Sequence, residues 1–183
     1  SLIDPTGPDF LKDFPSQNEV NLDRVDSFAG PCLTTHALRT FTPDLTSTGT
    51  KPVLGTGGYI RGFYYQIWDQ IYTWCDFRFG TSGINVGTGI YIITLPFTVD
   101  SSVGASTIMG NAPIVGNGAT FDDSSIFGSL PLTVHLRSST QLMFGIKMNS
   151  GLGATELSAT GYIPWAVNDG VSWSARFKRV DTV

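Results

Sequence analysis

At 183 residues the chain has the length of one ordinary domain, and 41 % hydrophobic with 12 % aromatic residues is enough for a core. Charged residues make up only 14 %, against roughly 25 % in typical soluble domains, so the polar surface must be built from Ser, Thr, Asn and Gly. Eleven basic and fifteen acidic residues give a formal net charge of −4, and no Lys/Arg run offers the basic stripe that a nucleic-acid partner requires.

No apolar run approaches the roughly 18 residues of a membrane span, so no membrane insertion is expected. SLIDPTGPDF lacks the basic and apolar regions of a signal peptide, and the chain reads as a gene product without its initiator Met. Residues 1–15 carry Pro5, Pro8 and Pro15 and read as an extended arm. Ser16 and Glu19 then form a capping-box pattern. Leu22, Val25 and Phe28 share one face, and Gly30-Pro31 stops the element. The pattern predicts an amphipathic helix too short to be stable alone. Residues 1–37 are therefore expected to anchor the chain to something larger, with Phe10, Phe14, Leu22, Val25 and Phe28 as candidate anchor residues.

From residue 38 the period changes to two. Tyr59, Arg61, Phe63, Tyr65 and Ile67 alternate with Ile60, Gly62, Tyr64, Gln66 and Trp68. After a turn placed at Asp69-Gln70, the alternation resumes through Phe79, which predicts a long antiparallel hairpin. The face bearing Cys75, Phe77 and Phe79 should meet the core. The opposite face is aromatic too, which is unusual for a face in water, and predicts that a second surface covers it. Further strands are expected at Ile90–Leu95, Ser106–Met109, Leu132–Arg137, Gln141–Lys147, Thr155–Gly161 and Val171–Val180. Turn chemistry separates them at Gly80–Gly89, Gly116-Asn117-Gly118, Asp122–Ser125, Ser138-Ser139, Gly151–Gly153 and Asn168–Gly170, with Ala166–Ser172 a hairpin candidate. Residues 38–183 thus read as an antiparallel β-sandwich of jelly-roll type, in a mainly β chain with a short N-terminal arm and helix.

The chemistry-bearing residues are sparse. Cys32 and Cys75 allow one disulfide at most. Without metal spacing or a cysteine-rich context they are expected as reduced, partly buried thiols. His135 sits in the strand pattern LTVHLR and reads as structural or surface; His36 lies in a linker. Asp122-Asp123 lacks a calcium-loop pattern and reads as a turn. The other carboxylates are scattered, so no catalytic pair emerges. GTGGYIRG and FGTSGINVGTG are glycine-rich, but neither leads into the helix whose N–H groups a phosphate cradle needs. The second reads as a flexible turn between the hairpin and the next strand. No catalytic, cofactor or metal site is expected, and the chain does not read as an enzyme. Aromatics that could stack on sugar rings are Trp68, Tyr72, Trp74, Trp165 and Trp173, each weighed against a place in the core or a subunit interface.

Five stretches carry a resemblance: Phe41-Thr42-Pro43-Asp44-Leu45-Thr46, Pro52–Gly57, Phe79-Gly80-Thr81-Ser82-Gly83, Gly87-Thr88-Gly89-Ile90-Tyr91 and Leu95-Pro96. In this order they resemble the C-terminal β-domain of minor tail proteins of bacteriophages that infect actinobacteria. The match is best over residues 40–97, and the ending Trp165–Trp173 is similar too. The resemblance implies a virion structural protein of jelly-roll or tumour-necrosis-factor-like architecture. It would be a homotrimer carried on the phage particle and assembled in the cytoplasm of the host bacterium. Its expected partners are other virion proteins, through the N-terminal arm, and host cell-wall glycan. Trp68, Tyr72 and Trp74 are the candidate glycan or subunit contacts. The alternatives are a capsid decoration or head-fibre protein held by its arm and, from another class, a glycan-cleaving enzyme.

Overall fold

A computed structural model describes residues 37–123, 128–146, 155–161 and 163–180. The expected N-terminal helix, the anchor residues Phe10, Phe14, Leu22, Val25 and Phe28, and also Cys32 and His36 lie outside them. The β-unit spans Leu38–Val183 and holds ten strands. They are β1 (Arg39–Phe41), β2 (Asp44–Ser47), β3 (Tyr59–Ile67), β4 (Gln70–Arg78), β5 (Tyr91–Thr94), β6 (Ile114–Phe121), β7 (Pro131–Ser138), β8 (Gln141–Ile146), β9 (Thr155–Glu156) and β10 (Gly170–Lys178). The fold is mainly β. Every strand pairing is antiparallel, and the order across the sheet is β1-β3-β4-β10-β6-β7-β8-β5-β2, with β9 added beside β8.

This one sheet curls over its own inner face into a sandwich-like arrangement. Phe77 of β4 meets Tyr91 of β5 edge-on at 6.1 Å, although four strands separate β4 from β5 in the sheet. Phe144 of β8 lies 5.9 Å from Trp173 of β10. Leu132, Val134 and Leu136 of β7 and Ile93 of β5 fill the space between. Each fully buried side chain of this size contributes about 1.5–3 kcal/mol of transfer free energy.

The strand boundaries correct the sequence reading at five places. The hairpin turn is Trp68-Asp69, one residue earlier than expected, because Ile67 pairs with Gln70. Trp68 takes the left-handed conformation there (φ 52°). Ser106–Met109 is not a strand. The segment ends in a 3-10 turn, Met109–Asn111, whose Met109 packs with Ala112 on Met143 over the outer face of β8. Thr155–Gly161 is strand only at Thr155–Glu156. Ala166–Ser172 is a turn leading into β10 rather than a hairpin, since β10 pairs with β4 and β6.

The fifth correction is the largest. Gly116-Asn117-Gly118 is not a turn but the middle of β6, beside the C-terminal strand. Gly116 and Gly118 face inward opposite Ala175 and Trp173. A Cβ at either position would lie 2.8 Å from the Cβ of that partner, closer than packed carbons approach. These glycines give β10 its bulky inward side chains.

FGTSGINVGTG is not flexible as expected. It is pinned to the segment 53–56 by reciprocal Val53–Asn85 backbone bonds (2.7 and 2.9 Å), by Gly80 N–H to Leu54 O (2.7 Å) and by Thr56 N–H to Ser82 O (2.9 Å). Tyr91 closes it from the core by donating its hydroxyl to Val86 O at 2.8 Å.

Candidate functional site

The strict alternation of β4 sends Ile71, Thr73, Cys75 and Phe77 inward and Tyr72, Trp74, Asp76 and Arg78 outward. Register then decides which outward side chains meet. In β3, Tyr65 stands opposite Tyr72 and Phe63 opposite Trp74. From the other side, β10 sets Arg176 opposite Tyr72 and Ser174 opposite Trp74, and β6 sets Asn117 beside Ser174. Four strands from distant parts of the chain thus build one outward surface. It is aromatic, as the doubly apolar hairpin predicts.

Its centre is a shallow groove of about 410 Å³ lined by Tyr65, Tyr72, Trp74, Asn117, Ser174 and Arg176. Tyr65 and Tyr72 stack with ring centroids 5.0 Å apart and planes inclined by 6°. Trp74 meets Tyr65 edge-on at 5.6 Å and 75°. Trp74 is 42 % exposed, so it forms a wall open to solvent. The Arg176 guanidinium lies 5.3 Å from the Tyr72 ring centroid, and its Nε donates to Gln70 Oε1 at 3.0 Å. Flat rings beside hydroxyl, amide and guanidinium groups match the two faces of a sugar ring, one apolar and one polar.

Of the expected contacts, Tyr72 and Trp74 come together in this groove, while Trp68 does not line it. Trp68 is 71 % exposed at the hairpin tip. Two other aromatics weighed as sugar-stacking residues are core residues instead. Trp173 is 2 % exposed, and Trp165 is buried with its Nε1 donating to Ser158 O at 3.0 Å. Trp173 sits on the inward register of β10, and Trp165, in the segment that leads to β10, packs on Phe77, Phe79 and Tyr91. The sequence reading missed Tyr65, Asn117, Ser174 and Arg176. Tyr65 is recoverable from the hairpin once the turn is set at Trp68-Asp69. The other three depend on pairings between remote segments and carry no local signal.

A second groove, of about 460 Å³, opens at the other end of the same face between Tyr59, Phe121, Arg78, Asp122 and Asp123. A bidentate Arg61–Asp76 pair (2.8 and 2.9 Å) lies on the same outer face near it, with Arg61 4.9 Å from the Tyr59 ring centroid. Below this groove, the buried Asp169 carboxylate accepts from Asp123 N–H at 3.0 Å and Ala166 N–H at 2.6 Å. Burial pushes its pKa above the usual carboxylate range, the two N–H donors pull it back, and the charges of Asp122 and Asp123 add to the rise. Asp122-Asp123 is thus tied to the turn that opens β10. Among the described residues no three His, Cys, Asp or Glu side chains converge as metal ligands.

His135 is buried under the Met109–Ala112 segment. Its Nδ1 is 3.1 Å from Ala112 O and its Nε2 2.8 Å from the Thr133 hydroxyl. A carbonyl only accepts, so Nδ1 donates to Ala112 O, while Nε2 pairs with the Thr133 hydroxyl, which also lies 3.2 Å from Gly145 O. Both nitrogens are engaged, and the Nδ1 bond to Ala112 O holds the segment to the sheet. Cys75 is a free, buried thiol whose pKa desolvation pushes up to about 12. Neither is an available nucleophile or base.

Comparison of the chain with protein-family models, with curated proteins and with solved structures returns no match.

Proposed function

We propose that this chain is a bacteriophage virion protein of the minor-tail type, an adhesion module that uses the outer face of β3, β4, β10 and β6 to hold a saccharide of the host cell envelope. The observation that carries the reading is the solvent-open groove of Tyr65, Tyr72 and Trp74, rimmed by Asn117, Ser174 and Arg176. A sheet face turned to water is ordinarily polar, so an aromatic face with polar groups converging on it marks a binding surface. The phage assignment draws on the motif resemblance over residues 40–97. A groove this shallow binds one sugar weakly. Display as a homotrimer, several copies to a particle, would raise the avidity by about a hundredfold or more where geometry allows simultaneous contact.

The test is a pull-down of full-length protein on purified actinobacterial cell envelope, beside a Tyr72→Ala/Trp74→Ala double variant checked for its fold by circular dichroism. Binding by the wild type and its loss in the variant support the reading. No binding by the wild type, with antibody labelling on the capsid shell rather than the tail, would favour the decoration alternative. Sedimentation in which the double variant dissociates an oligomer would make the face a subunit contact.

A further inference from the structure

We infer that the saccharide taken by this groove is an acidic one, bearing a carboxylate or phosphate group that Arg176 recognises. The inference rests on the reading of the groove as a glycan site and specifies its chemistry. Among the described residues, Arg176 is the one charged side chain lining the groove, and no carboxylate lines it. The guanidinium is already placed. Nε is spent on Gln70 Oε1, and the plane is held near the Tyr72 ring. Its terminal nitrogens form no ion pair with any described carboxylate. A guanidinium offers five N–H donors in a fixed fork that matches carboxylate and phosphate oxygens. One donor fixes the side chain here, and the outer pair remains for a ligand.

The sheet register favours the same ligand. Tyr72 stands between Tyr65 on one side and Arg176 on the other, so a sugar resting on the edges of this stack against the open Trp74 wall brings a substituent to the guanidinium. Ser174 and Asn117, on the neighbouring row, are left for sugar hydroxyls. Lys178, two residues along the same outward face of β10 and opposite Gln70, lies outside the groove with its charge facing Asp100, which leaves recognition to Arg176. A chain of net charge −4 has no general attraction for polyanions. A preference for acidic sugars therefore has to come from this local placement.

The experiment uses two matched pairs of probes with full-length protein. One pair is oligogalacturonate and its methyl ester, alike except for the carboxylate charge. The other is a phosphomannan and the same polymer after enzymatic dephosphorylation. Affinities are measured for the wild type, Arg176→Gln, Arg176→Lys and Tyr72→Ala/Trp74→Ala, at low and at physiological salt. The expected result is that the wild type prefers at least one acidic form over its neutral partner by about tenfold or more, the scale of a charge-assisted hydrogen bond. Arg176→Gln should erase that preference while neutral binding persists, and Arg176→Lys should restore only part of it. Preference within the carboxylate pair or within the phosphate pair identifies the anionic group. Equal binding of acidic and neutral forms that still depends on Tyr72 and Trp74 overturns the inference and leaves the glycan reading intact. So does an acidic preference that survives in Arg176→Gln. Absence of binding to all four probes overturns both.

Discussion

The two grooves on the outer face share their strands but not their chemistry. Near the hairpin tip the floor is a tyrosine stack, and among the described residues the one charge is Arg176 and no carboxylate lines the rim. At the other end the aromatic walls Tyr59 and Phe121 enclose Arg78 with Asp122 and Asp123, and Arg61 and Asp76 neutralise each other beside them. Satisfied pairs leave little with which to recognise a charged ligand; a preset and unpaired guanidinium leaves a great deal. An ion pair on a surface is self-sufficient. A lone cation over an aromatic ring is complementary to something else.

The comparison can be broken from beneath or sharpened groove by groove. The largest effect is expected for Trp173→Ala, which removes the inward ring that joins β10 to Phe144 under both grooves. Folding stability should fall by about 3–5 kcal/mol, read from urea denaturation, and both grooves should be lost together. Asp169→Asn comes next, with a loss of about 1–3 kcal/mol, because an amide cannot accept from both Asp123 N–H and Ala166 N–H. It should leave saccharide binding in the tyrosine groove unchanged, which separates the two ends.

Asp169 also sets a pH dependence with a definite sign. Its folded pKa is raised, so the native state holds the proton to higher pH than the unfolded chain. Its stabilising contribution is full below the ordinary carboxylate range and declines as pH rises through the folded value. Urea midpoints measured from pH 4 to 7 should show this slope in the wild type and not in Asp169→Asn.

Tyr72→Ala alone should weaken saccharide binding about tenfold while costing folding only about 0.5–1.5 kcal/mol, the worth of an aromatic pair on a sheet surface, as titration and thermal melts would show. Cys75 marks the opposite side of the same strand. With its thiol pKa near 12, it should not react with a disulfide reagent at neutral pH until denaturant exposes it. The smallest effect belongs to Arg61→Ala, whose open ion pair should leave both the denaturation midpoint and saccharide binding unchanged within error.

The parts of this architecture legible in the sequence are those set by local periodicity. The two-sided hairpin, β7 and β10 declare themselves by alternation within a few residues, and β5 and β8 by short apolar runs bounded by turn residues. Gly116-Asn117-Gly118 does not, because its letters are those of a turn. The close approach of β10, a strand more than fifty residues away whose backbone at Ser172 and Ser174 and whose Trp173 and Ala175 crowd these positions, explains why glycine is needed there. The same division runs through the candidate site. Tyr72 and Trp74 are visible as outward aromatics of one strand. Arg176 and Ser174 become their neighbours only when the C-terminal strand inserts between β4 and β6. Local pattern gives the floor of the groove; long-range pairing gives its polar rim. Trp173 is open to either reading for a related reason: an aromatic on a strand looks the same from both faces until register is known.

Among the described residues, the main run of strands in this curled sheet ends at β1 and β2, and both are brief. β1 contributes three residues and β2 four, and β2 carries the Lys51–Asp44 pair at its margin. A long naked border of unpaired amides is a template on which another molecule can add as an extra strand. Proteins displayed shoulder to shoulder meet that hazard at very high local concentration. Short, charged borders offer another molecule little to pair with.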